Sequence, residues 1–268
     1  MSDFIATVFE LMSIKTEPSK LTKRLKALDS QVDGGKGPFP KSAFTWCISG
    51  GKGSGKSTLL LNILEHEFRG HFDKIWLISP TAKRDPKFDR ILKEIKDQHI
   101  EEYSDGAIKA IIEDCEAEID DAKKDKDPLP NFLVIFDDCL ADLPPRMLKG
   151  SELNRLITCH RHKRATVIIL TQKYNALNTL LRSNLDCISM FQTACAAEKK
   201  CFLNDLTEGV KIEPLYEYAA YDKPNSFLHV NAKAPKGYKY FKQFDRIVTS
   251  SGEHSPRETS PTRGAAKT

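Results

Sequence analysis

The chain has 268 residues, a formal net charge of +4 and 40% apolar residues, enough for one large domain or two small ones around a real core. Its 14 Gly, 14 Pro and 9% aromatic residues exclude collagen-like and wholly disordered chains, and no apolar run approaches the roughly 18 residues of a membrane span. The seven scattered cysteines are odd in number and the opening segment has no basic stretch ahead of its short apolar part. A reduced, intracellular protein without a secretory signal is expected.

Taken in chain order, residues 1–42 read as an N-terminal helical segment. Phe4, Ile5, Val8, Phe9, Leu11 and Met12 fall near a helical stripe, and Ser19–Leu28 reads as a second short helix before Gly34-Gly35-Lys36-Gly37-Pro38 breaks regularity. A domain follows over 43–248. Strand-like runs at Phe44–Ser49, Lys74–Ser79, Phe132–Phe136, Thr166–Thr171 and Asp186–Phe191 alternate with helical stretches near 56–69, 86–97, 105–124, 150–162 and 176–182. Such alternation predicts an α/β fold with a central, mostly parallel sheet flanked by helices. Leu215–Tyr221, Ser226–Val230 and Tyr238–Phe244 read as extended pieces of a C-terminal antiparallel extension. Residues 249–268 are rich in Ser, Thr, Pro, Arg and Gly without apolar content, the composition of a disordered tail.

Gly50-Gly51-Lys52-Gly53-Ser54-Gly55-Lys56-Ser57-Thr58 matches the P-loop pattern and sits between a predicted strand and a predicted helix. Glycines let successive backbone N–H groups turn toward phosphate oxygens, the helix N-terminus adds partial positive charge, Lys56 adds a full one, and the Ser57 hydroxyl suits Mg²⁺. ATP and Mg²⁺ are the ligands this implies. The run Phe132–Phe136 ends in Asp137 and Asp138, at the strand end where open parallel sheets bind ligands. Asp137 is placed to hold the metal; Asp138 either orients the attacking water or caps the turn. Val167–Leu170 leads through Thr171 to Gln172, which either senses the γ-phosphate or is an ordinary loop residue. The strand Lys74–Ser79, intervening between P-loop and Asp137, predicts the motor-type (ASCE) division of P-loop NTPases.

Arg161 and Arg164, just before the Gln172 strand, are expected at the sheet edge away from their own nucleotide. There they either complement a helix dipole or reach a neighbouring subunit as an arginine finger in trans; Arg182 is a second candidate. Cys139, Cys159, His160 and His162 match no usual zinc spacing.

With these motifs in order, the segments SGGKGSGKST, KIWLISPT, VIFDDCL, HRHKRATVIILTQKY and LRSNLDCISMF resemble the poxvirus A32-like genome-packaging ATPases of the FtsK–HerA superfamily, over roughly residues 43–245. His160 stands where relatives tend to have Gly before Arg-His, and Asn175-Ala176-Leu177-Asn178 lacks the family's usual Pro. The resemblance implies a homo-oligomeric ring, working in the host cytoplasm during infection and associated with virions. It would pump double-stranded viral DNA into a capsid without sequence preference, in contact with capsid or portal vertex proteins. From the residues alone, two other readings stay open: a small-molecule or polynucleotide kinase, and a nucleotide-regulated assembly protein. The basic cluster Lys15–Lys26 is a candidate DNA contact.

Overall fold

The computed structural model describes residues 35–95, 98–140, 151–206 and 212–248. The helices expected at Phe4–Met12 and Ser19–Leu28, the basic cluster Lys15–Lys26 and the tail from Thr249 lie outside these residues.

The chain builds β1 (Thr45–Ser49), α1 (Lys56–His66), β2 (Lys74–Ile78), α2 (Asp89–Ile95), β3 (His99–Ile100), α3 (Asp105–Asp125), β4 (Phe132–Asp137), α4 (Glu152–Cys159), β5 (Ala165–Thr171), α5 (Thr179–Ser183), β6 (Cys187–Phe191), α6 (Ala196–Asp205), α7 (Ile212–Ala220), β7 (Phe227–Asn231), β8 (Tyr240–Lys242) and β9 (Asp245–Arg246). One sheet runs β3-β2-β4-β5-β1-β6-β7-β8-β9. The strands from β3 to β6 are parallel, and β7, β8 and β9 add antiparallel partners beyond β6. This is the expected α/β sheet with its C-terminal extension. The strand lying between β1 and β4 in space is β5, whereas Lys74–Ile78 intervenes only in sequence.

Continuous apolar strands need cover on both faces, and alternation sends their side chains to two cores. Cys47, Val134, Phe136, Val167 and Ile169 pack with α3, α4, α5, α6 and α7; Trp46, Ile48, Leu133, Ile135, Ile168 and Leu170 pack with α1 and α2. The helix α3 shows why its residues coil. Ser104 caps it by accepting from the Ala107 amide at 3.1 Å, and Ile108, Ile111, Ile112, Cys115 and Ile119 form one buried stripe.

Two readings of the C-terminal region change. In place of an extended piece at Leu215–Tyr221, residues up to Ala220 belong to helix α7: Ile212, Tyr216, Ala219 and Ala220 are buried at helical spacing, and that period overrides the strand preference of the tyrosines. The helix α6 was not expected, because it buries only Glu198 and Phe202 and shows almost no apolar stripe.

A buried hydrogen-bond chain fastens the antiparallel extension to the parallel core. Trp46 Nε1 donates to Ser189 Oγ at 3.0 Å, Ser189 Oγ lies 2.8 Å from His229 Nδ1, and His229 Nε2 lies 2.7 Å from the Pro38 carbonyl. The carbonyl can only accept, so Nε2 carries the proton; Nδ1 then accepts from Ser189, whose oxygen accepts from the indole. Rings of Phe39, Trp46, Phe241 and Phe244 surround this neutral imidazole. Burial pushes His229 down to about 4 from 6.5, against the opposing pull of the Pro38 carbonyl. The unfolded chain therefore takes up this proton first as pH falls. The stabilisation is whole above about pH 6.5 and is lost progressively toward pH 4, by roughly 3 kcal/mol. In urea unfolding at neutral pH and near pH 5, His229→Gln should show a shallower pH dependence than the wild type; equal slopes would contradict the assignment.

Candidate nucleotide site

The P-loop leaves β1 at Ser49 and enters α1 at Lys56. Gly50 N donates to the Thr171 carbonyl at 3.2 Å, which ties the start of the loop to the end of β5. A Cβ on Gly50 would stand 2.8 Å from the Phe191 Cβ, so only glycine lets the loop pass β6. Gly55 has φ +100 as the residue ahead of α1, where a side chain would be strained. No side chain caps this helix and its first turn has no acid, so its leading amides face the loop unopposed.

Lys56 is buried, and its Nζ donates to the carbonyls of Gly50 at 2.8 Å and Gly51 at 3.3 Å. Burial lowers its pKa, while Asp138 and Asp137 pull the other way. Asp137 ends β4 and is also buried; loss of solvent drives its carboxyl up to about 6. Ser79, at the exit of β2, donates to Asp137 Oδ2 at 2.8 Å and opposes that rise. The Ser79 oxygen accepts from the amides of Ala82 at 3.1 Å and Thr81 at 3.3 Å, which leaves its proton for Asp137.

Asp138 has φ +47, a conformation that Asp tolerates better than most residues. Its amide continues the ladder to the Leu170 carbonyl at 3.1 Å, and its Oδ2 accepts from Gln172 Nε2 at 2.9 Å. The loop, Lys56, Ser57, Thr58, Asp137, Asp138 and Gln172 line one cavity of about 950 Å³.

Sequence reasoning missed Ser79, Arg84, Lys87, Asn225 and Phe227. Arg84 and Lys87 follow β2 and face the same cavity, as do Asn225 and Phe227 at the start of β7. The signal for the β2 residues was their position just past the C-terminal end of a parallel strand, where ligands bind. For Asn225, nothing local marked it.

The three arginines stand elsewhere. All are held within their own chain: Arg161 and Arg164 at the N-terminal ends of the parallel strands, opposite the loop, and Arg182 beside the Tyr174 ring. Arg161 donates to Asp186 Oδ1 at 2.7 Å, and Asp186 in turn accepts from the Thr45 amide at 3.0 Å. Burial alone would raise Asp186, but His160, the Thr45 amide and Arg161 outweigh it and hold the carboxyl below its ordinary value. Arg164 donates to the Pro130 carbonyl at 2.8 Å and to Asn131 Oδ1 at 2.6 Å. Arg182 donates to Asp205 at 2.8 Å and to the Leu177 carbonyl at 2.6 Å. Arg161 thus lies at a strand end and not at a lateral edge, because β5 is paired on both sides. Arg182, in α5 after the C-terminal end of β5, lies with its guanidinium 5.9 Å over the Tyr174 ring.

Several solved structures share this fold. The genome packaging NTPase B204 of Sulfolobus turreted icosahedral virus 2, in complex with AMP, aligns with TM-score 0.53 at 16% identity, over 71% of this chain and 93% of its own. B204, described as the DNA-packaging ATPase from Sulfolobus turreted icosahedral virus, aligns with TM-score 0.51 at 17% identity, over 70% and 92%. The pCW3 conjugation coupling protein TcpA, with ATPγS, gives TM-score 0.53 at 14% identity, over 76% of this chain and 61% of its own. Among curated protein sequences none matches. The sequence model described as Poxvirus A32 protein matches residues 37–201, which hold the P-loop, Asp137, Asp138, Gln172 and the three arginines. By that match over more than half of its length, the chain belongs to the poxvirus A32 protein family.

Proposed function

We propose that this protein is an Mg-ATP-hydrolysing motor that packages viral double-stranded DNA into a capsid, working as a homo-oligomeric ring inside the host cell. The observation that carries the reading is the convergence on one cavity of the P-loop amides, a buried lysine, a buried carboxylate and a carboxylate–amide pair. Membership of the family and the packaging-ATPase fold of its structural neighbours support it. No helix among the described residues is long and apolar enough to cross a membrane.

The residues fit the ligands that the reading requires. Asp137 is a buried carboxylate pushed to about 6, an environment that a cation would relieve, and with the Ser57 hydroxyl it offers the hard oxygen donors Mg²⁺ takes. When bound, Mg²⁺ would offset charge on the triphosphate. The loop amides and Lys56 bind and orient the phosphates. Asp138 orients the attacking water and accepts its proton, and Gln172 fixes the carboxylate that does so.

Lys56→Ala should retain the fold and lose turnover by at least about 10²-fold, since it removes charge stabilisation from the transition state. Asp138→Asn should slow hydrolysis by about 10²- to 10⁴-fold and shift ATP affinity little, because it removes proton acceptance and not phosphate binding. Equal losses in affinity and turnover would reassign Asp138 to metal coordination.

Transition-state charge from a neighbour is the second element. We assign it to Arg161, with Arg164 and Arg182 as alternatives. Each would have to leave its present partner, Asp186, Asn131 or Asp205 respectively. Rings of Arg161→Ala alone should bind ATP and fail to turn it over. Mixing them with Lys56→Ala subunits should restore some hydrolysis at intermediate ratios; zero turnover in mixed rings shown to form would remove Arg161 from this role.

The reading as a whole is tested by ATP hydrolysis with and without duplex DNA. Stimulation that is indifferent to base sequence and falls steeply with salt is expected. Phosphoryl transfer to an added small-molecule or polynucleotide acceptor would instead identify a kinase.

A further inference from the structure

The sheet order gives the cavity a direction. Asp137, Asp138 and Gln172 stand at the ends of β4 and β5, on one side of the P-loop strand, and mark the γ-phosphate end. The other side of β1 is occupied by β6 and then β7. A nucleoside triphosphate held by this loop with its γ-phosphate at Asp138 therefore points its nucleoside end toward β6 and β7.

That side holds a cleft of about 300 Å³, lined by Ser54, Phe191, Gln192, Ala194, Asn225 and Ser226. Its size lies at the lower end of ligand pockets, which run from about 300 to 1,000 Å³. Phe191 lines the cleft and packs against Phe227 of the adjoining nucleotide cavity, with ring centroids 4.9 Å apart. Tyr216 and Tyr221 hold the strand exit, donating to the carbonyls of Phe191 and Thr193 at 2.7 Å each.

Two buried hydroxyls at this cleft are left without partners among the described residues, and one exposed carboxamide lies against the loop beside them. Ser226 is 1% exposed, and its Oγ makes no hydrogen bond. The Ser54 Oγ is buried and unpaired as well. Asn225 sits at φ +64 against the loop, where a Cβ on Gly55 would lie 3.6 Å from its Oδ1. A buried hydroxyl with no partner is costly, about 1–3 kcal/mol, and calls for a ligand atom.

Resting on the nucleotide reading above, we infer that this cleft is the base subsite and that Asn225 selects adenine, with Ser226 as a second contact. A carboxamide pairs with adenine through both of its atoms: its oxygen accepts from the N6 amino group and its nitrogen donates to N7. Guanine presents two acceptors, O6 and N7, on that edge, so the amide oxygen would face an oxygen. The hydroxyl of Ser226 can donate or accept and so completes the contact. The family match ends at residue 201, so this contact comes from the segment beyond it.

The test is calorimetric binding of ATP and of GTP to the full chain. The wild type should prefer ATP by about tenfold or more, the scale of one bidentate base contact. Asn225→Gly keeps the positive φ available and removes only the amide; it should weaken ATP by about tenfold and leave GTP nearly unchanged. Ser226→Ala should lower ATP affinity while the nucleotide-free unfolding midpoint stays the same or rises, since it removes an unpaired buried hydroxyl. Equal binding of ATP and GTP by the wild type, or an Asn225→Gly variant that keeps the wild-type preference, would overturn the inference and leave the ATPase reading standing. A wild type that binds neither nucleotide would overturn both.

Discussion

The register of three parallel strands is the constraint on which the site depends. Ser49 pairs with Thr171 across β1 and β5, and Asp137 pairs with Leu170 across β4 and β5. The three strands therefore run out of sheet at one level, and the P-loop, the Asp137-Asp138 pair and Gln172 emerge side by side. Two loop contacts extend that register past the strands: Gly50 N to the Thr171 carbonyl and Asp138 N to the Leu170 carbonyl. A slip of one residue would send every strand side chain to the opposite face. The two apolar cores, each closed by its own helices, make such a slip expensive.

Charge follows from that geometry. Lys56 is buried among carbonyls and loses proton affinity by desolvation, and Asp137 is buried and gains it. Both are sites where a polyanion and a cation together would restore what solvent no longer supplies. The serine at the exit of β2 is part of the same economy: Ser79 gives its only proton to Asp137 and takes two backbone amides in exchange. At the far end of the strands, Thr45, Asp186 and Arg161 form a separate polar knot that fastens β1 to the start of β6.

The parts legible in the sequence were those whose chemistry is contiguous. The loop from Gly50 to Thr58, the apolar run ending in Asp137 and the run ending in Gln172 each carry their signal within a dozen residues, and their order implied a parallel sheet. What could not be read depends on distant pieces meeting. Nothing near Asn225 marks it, because its importance comes from β7 pairing antiparallel with β6 beside the loop. Ser79 looks like the last residue of a strand until Asp137 is seen across from it. For Arg161 the side away from the nucleotide was legible but not the rest: a linear sequence shows that Arg161 precedes β5, but not that β5 is central and that Asp186 waits at the same strand end. In α7 the tyrosines and Leu215 suggested a strand, and only the buried face at Ile212, Tyr216, Ala219 and Ala220 reveals the helix.

The central claim is that strand register makes Asp138 and Gln172 one water-handling unit. A double-mutant cycle on single-turnover ATP hydrolysis, with Asp138→Asn, Gln172→Ala and the pair, measures this directly. The account predicts strong non-additivity: once Asp138 cannot accept a proton, removing Gln172 should slow the step little further. Losses that multiply across the two substitutions would contradict it, and would show the two side chains acting separately despite their 2.9 Å contact.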